Sequence, residues 1–401
     1  MPLGANCVFK DKGFHMVESN MVTGKGRLRW VMLSFSFAIA FLLHLLLFAT
    51  APMVTIIMSE MSLSHAGFGF VFSAAMISLI LFRVPWGLIG DRMGYVNALR
   101  VALPISAASA LMRGVSPNYL TLLLSQFLLG VGLAVVLPCL PLLVKEWSPK
   151  AIGFWTGIYI SGFAVGNATA LGLTPQLLSM VRWREVLLIY GCIAMVISGL
   201  WWGLAKSYVK RTSEAKFDSF AKLLKDRYVW LLLFFMMASM GSYDTLATWM
   251  PKVLEMKNLD KALASVLPLG FFTAGPVMGY LLDRFRNRES MIAVLGVAAA
   301  ASIAGINYSS IPLLLVCIFV SGFTCIGALT ISLTMPARHE RFSSSVGSVV
   351  GLTSSLGNIG PLTMPVIFGF LIDVTGAFYT SVLSVALLAS VTLILGSRIS
   401  E

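Results

Sequence analysis

Charged residues are scarce in this chain. Asp, Glu, Lys and Arg together make up 11% of its 401 residues and hydrophobic residues 58%, where a soluble domain carries about 25% charge. So little charge excludes an ordinary water-soluble fold. Histidine is scarcer still. His15, His44, His65 and His339 are scattered along the chain, and no zinc motif can be read from them. No C-x-x-C pair occurs among the five cysteines, and Cys139, Cys192, Cys317 and Cys325 lie within apolar runs. They read as small buried hydrophobes, neither a disulfide framework nor a metal site. A G-x-S-x-G elbow and a Walker-type phosphate loop are also missing. Enzyme activity, a bound cofactor or metal, and direct use of ATP are therefore not expected. The stretch Met1–Lys25 lacks the short apolar core of a signal peptide. It reads as a loose tail, with Met16 and Met21 as alternative starts.

What is abundant is uninterrupted apolar sequence. Twelve segments can be marked: Trp30–Met58, Ala66–Ile89, Ala98–Met112, Tyr119–Val144, Ile152–Leu178, Val186–Ala205, Val229–Met250, Ala262–Leu282, Met291–Ile306, Ile311–Met335, Ser345–Ile372 and Phe378–Leu395. About 20 apolar residues in a helix cross the roughly 30 Å of a bilayer core. Only helices and closed barrels satisfy the backbone there. Runs of this length, without ten-residue alternation, predict an all-α membrane protein of twelve transmembrane helices.

The net charge is +12. In a soluble protein that would point to nucleic acid; here the cations sit in short loops, and basic loops orient a membrane protein. With the N-terminus inside, twenty-two Lys and Arg fall on the inner side and six on the outer side: Arg113, Arg182, Arg184, Lys252, Lys257 and Lys261. Arg83 remains within a helix. Both termini are expected in the cytoplasm of a plasma-membrane protein, and nucleic acid is not expected as a partner. The longest polar interruption, 206–227, carries Phe217, Phe220, Leu223 and Leu224 at helical spacing among lysines, which predicts a basic amphipathic linker on anionic lipid.

The two sides of that linker repeat each other. Gly87-Leu-Ile-Gly-Asp91-Arg92 follows the second segment, and Gly279-Tyr-Leu-Leu-Asp283-Arg284, 192 residues later, follows the eighth. Gly166-Asn167 recurs as Gly357-Asn358 at an offset of 191. Two motifs at nearly one offset predict two pseudo-symmetric six-helix bundles, 30–205 and 228–396, with tails 1–29 and 397–401. Internal repeats of this kind place a solute site between the halves near the midplane.

Gly87-Leu-Ile-Gly-Asp91-Arg92-Met-Gly94 resembles the loop 2–3 signature of the major facilitator superfamily, and the stretch around Asp283-Arg284 is similar to its weaker loop 8–9 copy. Arg83-Val-Pro85-Trp-Gly87 resembles the second helix of nitrate/nitrite porters and cyanate-permease-like members. Thr248-Trp249-Met-Pro251 resembles a stretch common in anion porters, and the glycine-rich helices around Asn167 and Asn358 resemble those of nitrate porters. The resemblance implies a monomeric secondary transporter of a small anion, organic or inorganic, working by alternating access with a coupling proton or ion or by exchange. Two positions depart from it. Gly275 stands where nitrate porters carry a second arginine, and Gln126 stands where proton-coupled sugar and drug members often carry one.

Within this frame the candidate solute-binding residues are Arg83, His44, Gln126, Asn167, Tyr243, Asp244 and Asn358. Arg83 lies about 12 Å along its helix from Asp91, and a charge at that depth faces water or a partner. Its planar fork suits carboxylate or nitrate oxygens. Asp244 and His44 are candidate proton carriers, and the amides can donate to an anion or hold helices together. The resemblance makes Gly87, Asp91, Arg92, Gly94, Gly279, Asp283 and Arg284 a cytoplasmic gate. Gly162, Gly166, Gly357 and Gly360 are read as helix-packing positions. The alternatives are a proton-linked exporter of amphipathic compounds and, in another class, a transporter-like sensor. Asn307-Tyr-Ser309 matches a glycosylation sequon in an outer loop.

Overall fold

The computed structural model describes the backbone of residues 12–148, 152–206, 225–284, 288–308, 310–338 and 346–399. Side chains are not described at 12–27, 91, 152–154, 279–280, 282–284, 288–290, 292, 333–338, 346–348, 350–351 and 391–399. Most of the expected amphipathic linker 206–227 lies outside the described residues.

Fifteen α-helices account for the described chain: α1 Lys12–Phe48, α2 Val54–Met61, α3 His65–Met93, α4 Tyr95–Gly114, α5 Tyr119–Leu133, α6 Val136–Trp147, α7 Ile152–Leu178, α8 Trp183–Leu204, α9 Arg227–Met256, α10 Val266–Arg284, α11 Arg288–Gly305, α12 Ile311–Arg338, α13 Val346–Gly357, α14 Ile359–Thr375 and α15 Phe378–Ile399. They make twelve crossings, because three of the spans are broken helices. Nine stretches are long and apolar enough to cross a bilayer, and α11 and α15 carry shorter apolar cores, Ala293–Gly305 and Phe378–Ser390. The remaining crossing, α7, runs for 27 residues without a charged side chain.

A proline lies at each of the three breaks. A proline has no N–H for the carbonyl four residues back and its ring crowds that carbonyl. Pro52 lies in the 3₁₀ turn Ala51–Met53 between α1 and α2. Pro138 has no N–H to give the Ala134 carbonyl at the join of α5 and α6, and Pro361 has none to give Gly357 at the join of α13 and α14.

The repeat read in the sequence is a repeat of packing. In the first bundle α1 lies on α7, α4 on α8 and α3 on α5; in the second, α9 lies on α13 and α14, α11 on α15, and α10 on α12. Between bundles, α3 packs on α14 and α7 on α10. Large apolar side chains such as Leu81, Val196, Leu313 and Leu387 are exposed on the outside of the bundles, where a bilayer supplies their solvent.

The α1–α7 contact is close because of glycine. A Cβ on Gly166 would overlap the Phe41 carbonyl oxygen, and one on Gly162 would crowd that of Phe37. In the other bundle a Cβ on Gly360 would overlap the Met237 carbonyl oxygen, while Gly357 lies against the Met236 side chain. Two cysteine and asparagine readings change. Cys192 is exposed on α8, not buried like Cys139, Cys317 and Cys325. Asn307 is 4% exposed and its amide donates to the Tyr379 carbonyl at 3.2 Å, so it is held inside and the sequon reading is dropped.

Candidate functional site

The seam between bundles holds most of the candidate polar residues, in separate groups. The first is built on the end of α13. Asn358 turns the chain from α13 into α14, and its N–H bonds the Ser355 carbonyl at 3.3 Å. The Ser354 carbonyl, in the last turn of α13, accepts from the Asn358 side-chain amide at 3.1 Å and from Nη1 of Arg83 on α3 at 3.1 Å. The last carbonyls of a helix have no intrahelical donor and carry partial negative charge, so a cation is stabilised there. Nε of Arg83 is buried without a hydrogen-bond partner among the described residues. Among the described residues the guanidinium therefore meets a carbonyl at the seam and no carboxylate.

The second group joins α7, α9, α10 and α1. The Asn167 amide donates to the Tyr243 hydroxyl across the seam at 3.0 Å. The Tyr243 ring meets Phe271 edge-on at 5.4 Å, and Phe271 meets His44 at 6.0 Å. His44 also stacks on Phe163 at 4.8 Å and lies edge-on to Phe48 at 5.5 Å. Oδ1 of Asn167 and Nδ1 of His44 are buried without partners among the described residues. Asp244, beside Tyr243, is half-buried, and no described side chain forms an ion pair or hydrogen bond with its carboxylate. The aromatic partners were not singled out from the sequence, although Phe163 sits inside the Gly162–Asn167 motif and carried a signal there.

Gln126 does not join the seam. Its Oε1 accepts from Arg113 at 3.1 Å inside the first bundle. Arg113 was read as an outer-loop cation; it is instead 0% exposed in the last turn of α4. Of the gate residues, Arg92 is exposed, Gly94 joins α3 to α4 at φ +82° where a side chain would be strained, and Gly87 faces Pro138 without crowding it. Gly279 lies in α10, and the side chains of Asp91, Asp283 and Arg284 fall outside the described ones. A Cβ at Gly275 would meet nothing within 4 Å. Among the described residues no three of His, Cys, Asp and Glu converge as metal ligands would.

On the face away from the chain termini, side-chain contacts bridge the two bundles. Asp373, near the end of α14, accepts from the His65 N–H at 2.9 Å, the Ala66 N–H at 2.8 Å and His65 Nδ1 at 2.7 Å. Ser64 accepts from the Gly67 N–H at 3.0 Å. The first free donors of α3 are thus capped from both bundles, with a carboxylate at the positive end of the helix dipole. Beside this cap, Thr55 of α2 bonds Glu255 and Lys252 of α9. Deeper in, Ser73 donates to the Leu362 carbonyl at 2.5 Å. None of these seam contacts was legible beforehand.

Comparison with known proteins agrees with this architecture. The sequence matches the model of the Major Facilitator Superfamily over residues 36–275 and 258–399. The chain belongs to the major facilitator superfamily. This transporter is 24% identical to the 2-nitroimidazole transporter of Escherichia coli over 95% of its own length and 98% of that protein. It is 24% identical to the gentisate transporter of Corynebacterium glutamicum (78% of this chain, 74% of that one) and 22% identical to the nitrite extrusion protein of Bacillus subtilis (86% and 87%). Among solved structures it is similar to a bacterial homolog of the human lysosomal transporter Spinster, with TM-score 0.75, 16% identity and coverage of 93% of this chain and 97% of that one. The chain is a multi-pass membrane transporter of small solutes, not an enzyme.

Proposed function

We propose that the chain is a secondary active transporter of a small anion, organic or inorganic, working by alternating access in the plasma membrane. The observation that carries this reading is Arg83: a guanidinium at the seam, bonded to a carbonyl and, among the described residues, to no carboxylate. Such a charge favours an acid anion as its partner, and a fork of N–H groups fits paired oxygens. Asn358, on the same Ser354 carbonyl, supplies a second donor beside it. Relatives named for gentisate and nitrite support the anion, whereas the 2-nitroimidazole relative keeps neutral heterocycles in the panel to be tested.

In this reading the bundles 30–205 and 228–396 rock about the seam and 206–227 tethers them. Arg83, Asn358, His44, Asn167, Tyr243 and Asp244 line the solute's path, and Asp91-Arg92 and Asp283-Arg284 close the opposite face as a latch. With Arg113 buried, twenty-two inner cations against five outer ones support cytoplasmic termini, which makes the bridged face the external one. The protein acts as a monomer. A second reading, proton-linked movement, has its own support in Asp244, a half-buried carboxylate without a cationic partner among the described residues. Such a group can carry a proton between the two faces.

The test is uptake into proteoliposomes of aromatic and aliphatic carboxylates, cyanate, nitrate, nitrite and 2-nitroimidazole. For the substrate found, Arg83→Ala removes a charge-assisted contact of about 2 kcal/mol, so uptake at low solute falls roughly thirtyfold; Arg83→Lys recovers part of it. Full anion uptake by Arg83→Ala would sink the proposal.

A further inference from the structure

Arg113 is a buried charge that the transport reading does not use. It sits in the last turn of α4 with 0% exposure. Its Nη1 donates to the Leu46 carbonyl at 2.7 Å and to Oε1 of Gln126 at 3.1 Å. Leu46 belongs to the last turn of α1, ahead of the break at Pro52. The last four carbonyls of a helix have no donor within it. Water does not supply one here, because Leu45, Leu46, Leu47 and Phe48 are all buried, at 3% exposure or less. A buried carbonyl needs a donor from the protein, and a cation suits the negative end of a helix. The Arg113 guanidinium meets both needs.

The turn it caps carries two rings of the seam group. His44 stands two residues before Leu46, and Phe48 two residues after it. His44 stacks on Phe163 of α7 at 4.8 Å and meets Phe271 of α10 edge-on at 6.0 Å. Phe48 lies edge-on to His44 at 5.5 Å and 5.4 Å from Phe72 of α3. Because the span breaks at Pro52, a following helical turn does not hold this one in place. Arg83 caps a broken span in the same way, at the Ser354 carbonyl in the last turn of α13. That cap crosses the seam, and in the transport reading it parts when the bundles separate. The Arg113 cap joins α4 to α1 inside one bundle and stays made.

We propose that Arg113 is a positioning residue for the seam: by capping the broken end of α1 it fixes His44 and Phe48 in the ring stack, and Gln126 holds its guanidinium on the Leu46 carbonyl. Its bearing on transport rests on the reading in which His44 lines the solute's path. The placement of His44 does not rest on that reading and is tested without solute.

The test is NMR of the whole purified protein in detergent, with carbon-13 in the histidine rings. The chain has four histidines, and His44→Asn identifies the His44 signal. Stacking on Phe163 should set that signal upfield of free histidine. In Arg113→Gln it should move back toward the free-histidine position. Arg113→Lys, which keeps a charged donor for the Leu46 carbonyl, should recover it. Gln126→Leu should move it part of the way with the cation kept, so the test stays open if Arg113→Gln does not fold. His65, bonded to Asp373 at the start of α3, should keep its signal throughout, whereas general loosening of the fold moves both. An unmoved His44 signal in Arg113→Gln, or in Gln126→Leu where that variant does not fold, would overturn the proposal. So would a His65 signal that moves as far as that of His44. Full anion uptake by Arg83→Ala would remove the transport reading and leave this placement standing.

Discussion

Arg83 and Asp373 are both charges that meet the end of a helix belonging to the opposite bundle. Arg83 lies at the negative end of α13 and Asp373 at the positive start of α3. Both contacts must break when the bundles separate, so each biases the equilibrium between states without touching the others' chemistry. Asp373→Ala removes an acceptor shared by three donors. A loss of about 2 kcal/mol, a factor of roughly 30, is expected in favour of the state open at that face. A cysteine introduced at Ser73, in a background without the native cysteines, should then react severalfold faster with a membrane-impermeant thiol reagent; unchanged reactivity would show that the cap does not hold the face shut. Asp244→Asn addresses coupling. Uptake should lose its response to an imposed pH gradient while exchange of solute across the membrane persists. A variant still driven by the gradient would remove Asp244 from the proton path. Arg83 stood out in the sequence because a lone cation in an apolar run is visible. Its acceptor did not, because the Ser354 oxygen is backbone and becomes available only through the turn at Asn358. Arg113 misled for a related reason: a cation one residue from a helix end reads as a loop charge until the neighbouring helices are placed over it.

At the scale of elements, the apolar runs predicted the crossings well because bilayer thickness sets their length. The breaks within the first, fourth and eleventh spans were harder to read. A proline marks where a hydrogen bond is lost, but whether the helix bends or divides depends on what packs against it. Glycine spacing was more informative. The motif pair around Asn167 and Asn358 marks the faces where α7 meets α1 and α14 meets α9, and the overlap a Cβ would cause ranks the positions. Gly360→Ala drives a methyl into the Met237 carbonyl, and backbone cannot yield as a side-chain tip can. A loss of about 1–3 kcal/mol or more is expected, visible as a lower Tm and lower yield. Gly199→Ala on α8 provides the contrast, since a Cβ there meets nothing within 4 Å. It should leave Tm unchanged or raise it, because alanine favours a helix by up to about 1 kcal/mol over glycine. Equal losses at both positions would mean that helix flexibility, not close approach, is the reason for glycine.

For the whole molecule, two bundles of the same packing are not two copies of one site. The first carries Arg83 and the matching place in the second is Gly275, with open space for a Cβ. The first also holds the buried Arg113–Gln126 pair, while Asp244, a half-buried carboxylate without an ion-pair partner among the described residues, belongs to the second. In the proposed alternating-access reading, symmetry supplies the hinge and asymmetry the chemistry. Every cross-bundle side-chain hydrogen bond among the described residues lies between the Arg83 level and the face away from the termini, ending at the Thr55–Glu255–Lys252 cluster. If transport requires that face to open, fixing it shut must stop flux without destroying the fold. The double variant Thr55→Cys with Glu255→Cys, in a background without native cysteines, places thiols where the two bundles touch. Bridging them with a short bifunctional thiol reagent that reduction can cleave should abolish uptake, and reduction should restore it. Binding of solute to the purified, bridged protein should persist, because the other face remains free to admit it. Undiminished uptake by the bridged protein would mean that solute crosses without separation of α2 from α9, and the rocking of bundles about the seam would have to be given up.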